Sequence, residues 1–333
     1  MPRLRPSLFW AARRDISPFA ALLLQVCRDL PSTANELRWI REHIASTSSL
    51  VPSKLRLWKM CEKRAKGVPL QYVLGTQPFG GLEIKCRPGV LIPRHETEAY
   101  TTELAQILLR QTPTRLSILD LCTGTGCIAL GLLSLLPPPV HVHGIDISPI
   151  AISLANTNLD HNTRLGLLAP QPSSIHFTQA DIFSPSLLPS LTPHAWDLLI
   201  SNPPYISRGA FARETARAVR NYEPRLALVP DRDDETAGLG CASEDVFYAR
   251  LLQLAGVLTP RRAFFEAAGI EQAVRVINMV KGDARLSGLY PQVEIWRDNP
   301  HKEYEVQRFG DHEVPFRGSG GARAVYLCQS DQL

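Results

Sequence analysis

The segment Asn202-Pro203-Pro204-Tyr205 directly follows the apolar run Trp196-Asp197-Leu198-Leu199-Ile200-Ser201, and its residue types make a receptor for a planar NH2 group. Two consecutive prolines fix φ and supply no N–H, so the carbonyls of Asn202 and Pro203 are left to accept from a ligand. The amide oxygen of Asn202 adds a second kind of acceptor, and the ring of Tyr205 can border the π face of the bound group. Asn202, Pro203, Pro204 and Tyr205 are therefore the candidate catalytic residues, with Asn202, Pro203 and Tyr205 also touching substrate. An isolated segment of this kind is equally an ordinary proline-rich turn. A second motif upstream shifts the balance.

That motif is Ile118-Leu119-Asp120-Leu121-Cys122-Thr123-Gly124-Thr125-Gly126-Cys127-Ile128-Ala129-Leu130. A strand-like run enters a Gly-x-Gly turn and leaves with helical spacing, and glycines there let a ligand approach the backbone. Val140-His141-Val142-His143-Gly144-Ile145-Asp146 reads as the next strand, ending in a carboxylate suited to a ribose diol. Ser174 to Ile182 reads as a third, with Asp181 at its tip. Gly124, Gly126, Ala129 and Asp146 alone also satisfy a dinucleotide fingerprint. Two observations favour S-adenosylmethionine over NAD. Asp120 would face a pyrophosphate poorly but suits a cationic amino-acid end, and hydride transfer has no use for an NH2 receptor. The expected cofactor residues are Asp120, Cys122, Thr123, Gly124, Thr125, Gly126, Asp146, Asp181, Ile182 and Asn202. Asp181 would accept from the adenine amino group and Ile182 would cover a ring face.

The elements that must carry these residues form a Rossmann-like α/β sheet with flanking helices. Before it, residues up to about 66 show only helical periodicity, through Phe19, Leu22, Leu23 and Val26, then Leu37, Ile40 and Ile44, then Leu55, Leu57, Trp58 and Met60. The spacing predicts a small N-terminal helical bundle.

In this combination the chain resembles the HemK/PrmC-like glutamine-N5 methyltransferases of peptide-chain release factors, a family of class I S-adenosylmethionine enzymes. Four blocks carry the resemblance, which runs from about Gly67 to the 290s: Gly67-Val68-Pro69-Leu70-Gln71-Tyr72-Val73-Leu74-Gly75; Val90-Leu91-Ile92-Pro93-Arg94-His95-Glu96-Thr97-Glu98; the Asp120 to Gly126 turn; and Asn202 to Ile206 followed by Tyr222-Glu223-Pro224-Arg225-Leu226-Ala227-Leu228. The resemblance implies methyl transfer to the side-chain amide of the glutamine in a release factor's Gly-Gly-Gln loop. It also implies that residues 15–75 dock that factor and residues 76–333 perform catalysis. Arg94 and Glu223 are further expected substrate contacts, although an ion pair of Arg94 with Glu98 and a structural role for Glu223 come first. The chain departs from the family at His95, where proline is usual, at Cys122, where glycine is usual, in the acidic run Asp231 to Glu235, and in a long polar tail from Asn299.

Composition bounds the alternatives. The chain has 333 residues, 44% hydrophobic and 20% charged, at +4 net charge. That suffices for one α/β domain and a smaller one. No apolar run approaches the roughly 20 residues that span a bilayer. Seven scattered cysteines without a C-x-x-C pair suggest neither zinc nor a disulfide framework. Residues 1–66 hold 13 Lys and Arg against 5 Asp and Glu, an excess of +8 that leaves −4 for the remainder. Residues 1–14 carry Arg3, Arg5, Arg13 and Arg14 with no acid before Asp15, as a mitochondrial transit segment would; the other reading is cytoplasmic. An exocyclic-amino methyltransferase of DNA or RNA is the alternative activity. It would need a basic cleft or a target-recognition domain, and the net-acidic catalytic part makes direct nucleic-acid binding unexpected. A non-catalytic scaffold would have lost Asn202 or the glycine turn.

Overall fold

The computed structural model describes residues 4–110, 115–168, 174–232, 238–309 and 312–329. Asp233, Asp234 and Glu235 of the acidic run lie outside them. Four N-terminal helices come first: α1 (Pro6–Ala11), α2 (Ala20–Cys27), α3 (Leu30–Ser46) and α4 (Ser53–Ala65). The short α5 (Leu70–Leu74) leads to a hairpin of β1 (Thr76–Phe79) and β2 (Leu82–Lys85). Asp29 caps α3, its side chain accepting from the Ser32 amide at 2.7 Å, which satisfies one of the free N–H groups of the first turn. The bundle has its own core of Leu23, Leu24, Leu37, Ile40, Ile44 and Cys61. Leu55 and Trp58, part of the expected apolar stripe, instead face outward at 42% and 45% exposure. Residues of the expected transit segment belong to the bundle: Leu4, Leu8 and Phe9 pack on its core, and Ala12 is fully buried.

The rest of the chain is built on a seven-stranded sheet in the order β5-β4-β3-β6-β7-β9-β8. Its strands are β3 (Leu116–Leu121), β4 (Val140–Asp146), β5 (Ser174–Gln179), β6 (Leu198–Ser201), β7 (Arg262–Glu266), β8 (Gln292–Phe309) and β9 (His312–Cys328). The first five run parallel, and β9 and β8 add antiparallel pairs. The order reverses between β3 and β6, and open α/β sheets bind ligands beyond the carboxyl ends of their strands at that crevice. The register Leu121↔Ser201 makes both strands end at one level, so Cys122 and Asn202 leave the sheet side by side. Near-continuous apolar runs in β3, β6 and β7 follow from helices covering both faces. On one side lie α6 (His95–Leu109) and α7 (Cys127–Leu135); on the other, helices over Val246–Leu258 and Ile270–Gly282.

The polar tail expected from Asn299 is instead most of the β8–β9 hairpin. Ala324 to Cys328 of β9 are all buried beside β7, while Tyr304, Glu305 and Val306 of β8 are all exposed. The polar, exposed stretch of β8 beyond Asn299 is what reads as tail.

Candidate active site

The turn after β3 is built to be approached. Gly124 takes φ +56 with nothing within 4 Å of where a Cβ would stand, so its backbone faces open space. Gly126, at φ +77, is needed for packing: a Cβ there would meet the Phe177 ring at 3.0 Å and Ala155 at 3.2 Å. Cys122 occupies the left-handed region at φ 62, a conformation costing a non-glycine residue roughly 1 kcal/mol or more. The neighbouring chain holds it there: Thr123 N–H donates to the Ile145 carbonyl at 3.0 Å, and buried Asn158 donates to the Thr125 carbonyl at 2.9 Å. Asn158 also accepts from the Lys85 amide at 2.6 Å, tying the turn to the hairpin. It was not legible as a site residue; its one signal is a polar residue four positions before buried Asn162 on the inner face of α8 (Pro149–Arg164).

The turn opens into a cleft lined by Cys122, Thr123, Gly124, Thr125, Asp146, Asp181, Ile182, Asn202, Pro204 and Arg94. Asp146 accepts from the Gly124 and Ser148 amides, each at 2.9 Å, so it fixes the turn as well as presenting an acceptor. Burial raises its carboxyl pKa, and the two amides pull it back. Asp181 accepts from the Phe183 amide at 3.0 Å and pairs with Arg232 at 2.6 Å. The Arg232 guanidinium also lies 4.9 Å over the Phe183 ring. Arg232 thus closes one wall of the cleft and shares the carboxylate expected to face adenine. Replacing Asp146 with Ala should weaken S-adenosylhomocysteine by roughly 1.5–3 kcal/mol in calorimetric titration. Unchanged affinity would make Asp146 a strand-end residue only.

Asp120 departs from expectation. It is fully buried on β3 and lines no part of the cleft; its Oδ2 accepts from Thr123 Oγ1 at 2.6 Å, and among the described residues its Oδ1 has no hydrogen-bond partner. The strand end places it beneath the turn, where it acts through Thr123. Burial pushes its carboxyl pKa from 3.8 up to about 7. The folded protein therefore holds a proton that the unfolded chain releases between about pH 4 and 7, so this residue lowers stability as pH rises through that window. Asp120→Asn keeps an acceptor for Thr123 and removes the charge. The variant should gain on the wild type from pH 4 to 7, then hold its lead, at about 1.4 kcal/mol per pKa unit. Parallel denaturation curves at all pH values would show Asp120 to be ionised and accommodated.

Arg94 pairs with Glu223, not with Glu98. Glu223 is buried, accepting from Arg94 at 2.8 Å and from the Ile92 amide at 3.1 Å. Arg94 has extended backbone at φ −96 as the N-cap of α6, so the helical i,i+4 geometry that would join it to Glu98 does not apply. Glu223 lines neither cavity at the site and braces the segment 90–94, which Tyr72 also holds by donating to the Val90 carbonyl at 2.7 Å.

A second cavity adjoins the first at the Asn202 segment. Leu91, Arg94, Asn202, Tyr205, Ile206, Leu228 and Glu266 are among its walls. Leu91, Arg94, Asn202 and Ala227 line both cavities. Pro203 is buried and lines neither. Ser201 Oγ donates to the Leu121 carbonyl at 2.7 Å and the Ile206 amide to Leu228 at 2.8 Å, so the segment is fixed at both ends. A side-chain amide acceptor thus stands where two chambers meet, able to hold an NH2 group from one against a group presented in the other.

Among the described residues no cluster of His, Cys, Asp and Glu could hold a metal ion, and no helix is long and apolar enough to cross a membrane. The cysteines are all unbridged.

Residues 87–222 match the family model described as "Methyltransferase small domain". The chain is 36% identical to the Saccharomyces cerevisiae protein named mitochondrial MRF1 N(5)-glutamine methyltransferase MTQ1, over 87% of this chain and 83% of that one. It is 35% identical to a Schizosaccharomyces pombe protein named as a probable MRF1 mitochondrial N(5)-glutamine methyltransferase, over 64% and 69%. A Geobacter sulfurreducens release factor glutamine methyltransferase is 38% identical over 65% and 66%.

Proposed function

Because the chain belongs to the family of release factor glutamine methyltransferases, we propose that its two cavities hold the two reactants on either side of Asn202. The enzyme transfers a methyl group from S-adenosylmethionine to the side-chain amide nitrogen of a release factor glutamine. The observation that carries the assignment of sites is the wall common to both chambers.

The cleft fits the cofactor. The exposed backbone of Gly124 leaves room for close approach, Asp146 offers a carboxylate to a ribose diol, and Ile182 and Asp181 border the far end. When bound there, the cofactor supplies an electrophilic methyl group on a sulfonium. An amide nitrogen is a poor nucleophile because resonance delocalises its lone pair, the effect behind the roughly 18–20 kcal/mol rotation barrier of peptide bonds. As the nitrogen attacks, its N–H bonds become more positive. The Asn202 amide oxygen lines the junction and accepts from one of them, so it binds the transition state more strongly than the ground state; Pro203, which lines neither cavity, acts by fixing the backbone that presents Asn202. Tyr205 orients the amide, and Arg94, braced by Glu223, closes the junction. Holding the nitrogen in line supplies much of the remaining acceleration.

In this reading the glutamine belongs to a Gly-Gly-Gln loop, the N-terminal helices dock the body of the release factor, and the protein works in mitochondria. Two relatives are named mitochondrial, and the chain begins with four arginines before its first acid. A cut after Arg14 would remove Phe9 and buried Ala12 from the bundle, so residues 4–14 also serve the fold. Side-by-side methylation assays on release factor and on DNA or RNA oligonucleotides test the substrate class. Labelling of the protein alone is expected; labelling of an oligonucleotide would overturn the reading.

A further inference from the structure

Glu266 ends β7 at 1% exposure, and it lines the substrate-side cavity together with Tyr205. Among the described residues its hydrogen-bond partners are three hydroxyls: Tyr205 at 3.1 Å on Oε1, Thr97 at 2.9 Å and Tyr100 at 2.8 Å on Oε2. Thr97 and Tyr100 both come from α6, one turn apart, and fix the carboxylate from behind. Three donors on two oxygens suit the ionised form, which can only accept. A phenol has one proton, and Tyr205 commits it to Glu266, so what its oxygen can still offer is lone pairs. The Tyr205 backbone is held as well, its carbonyl accepting from Gln272 Nε2 at 3.3 Å.

We propose that Glu266 is a positioning residue that turns Tyr205 into a hydrogen-bond acceptor toward the substrate cavity, selecting a peptide N–H there and disfavouring a carbonyl. Without the carboxylate the phenol can rotate and donate into the cavity, which inverts the polarity the substrate meets. This rests on the reading that the second cavity takes the glutamine. It adds a group outside the Asn-Pro-Pro-Tyr segment that decides how a substrate chain is oriented there. The carboxylate acts only through Tyr205.

The test is a double-mutant cycle on the full chain, with KM and kcat measured for a glutamine peptide and S-adenosylhomocysteine titrated as the control for folding. Glu266→Leu is expected to raise KM about tenfold, the scale of one hydrogen bond made or lost, with a smaller change in kcat. Glu266→Gln, which keeps an acceptor oxygen, should recover most of the loss. In a Tyr205→Phe background either substitution should change KM less than about twofold, because the group it acts through is gone. If Glu266→Leu leaves too little folded protein to bind S-adenosylhomocysteine, Glu266→Gln carries the cycle, with a KM between wild type and Tyr205→Phe expected. Equal losses in both backgrounds, or an unchanged KM in folded Glu266→Leu, would overturn the proposal. Tyr205→Phe with a wild-type KM would instead remove the second cavity as the substrate site, a failure of the underlying reading that the cycle distinguishes.

Discussion

Asn202→Ala should lower turnover on a glutamine substrate by roughly 10²–10³ while S-adenosylhomocysteine binds nearly as before. The magnitude is that of removing one preorganised group that meets developing charge, about 2.7–4 kcal/mol. The structure gives reason to expect a loss of chemistry without loss of fold. Asn202 is only partly buried, and its segment is anchored by bonds that the substitution does not touch, from Ser201 to Leu121 and from Ile206 to Leu228. Asn202 is one of many residues in the cofactor wall, which the β3 and β4 turns, the segment 89–94 and Asp181 and Ile182 also build. Single-turnover methyl transfer at saturating cofactor isolates the step. Turnover like the wild type would sink the NH2-receptor model, and lost S-adenosylhomocysteine binding would show Asn202 to be chiefly a cofactor contact.

Removing residues 1–66 should abolish methylation of intact release factor at low concentration, yet only weaken that of a Gly-Gly-Gln peptide supplied at high concentration. The bundle keeps a core of its own, and its excess of positive charge would raise the effective concentration of the loop at Asn202. Association with release factor should accordingly slow as salt is added, since exposed charges are screened over about 8–10 Å. The cut is placed before Tyr72, which keeps its bond to the Val90 carbonyl and so braces the substrate wall. It does remove the Lys66 carbonyl that accepts from Tyr222 at 2.9 Å, and it uncovers Leu70. Retained S-adenosylhomocysteine binding is therefore the control. A folded truncation that methylates intact release factor at the full rate would leave the bundle a purely stabilising part.

The parts of the site that the sequence exposed are those where one local motif fixes both backbone and chemistry. The Gly124 turn, Asp146 at the end of β4 and Asn202 after β6 are of this kind, each a polar group ending an apolar strand. Glu266 obeys the same rule, closing the buried run Arg262–Glu266, but no turn motif follows it to mark the strand end as a site. Pairings across the chain were hidden for a different reason. Arg94 reaches Glu223 and Asp181 reaches Arg232, and spacing along a chain cannot rank such partners against a carboxylate four residues away. The β8–β9 hairpin reads as a tail because Tyr304, Glu305 and Val306 of β8 are exposed in succession, with no alternation to mark a strand. Asp120 was misjudged in direction only: its place on β3 was legible, but whether a strand-end side chain points into a cleft or beneath it depends on the pleat and the following turn.

The central claim is that methyl transfer ends on the side-chain nitrogen of one release-factor glutamine held at Asn202. Tandem mass spectrometry of release factor incubated with the full-length enzyme and S-adenosylmethionine locates the product directly. One added methyl group on the glutamine of the Gly-Gly-Gln loop, present with wild type and nearly absent with Asn202→Ala, is the predicted result. A methyl group on any other residue, or equal labelling by the Asn202 variant, would contradict it.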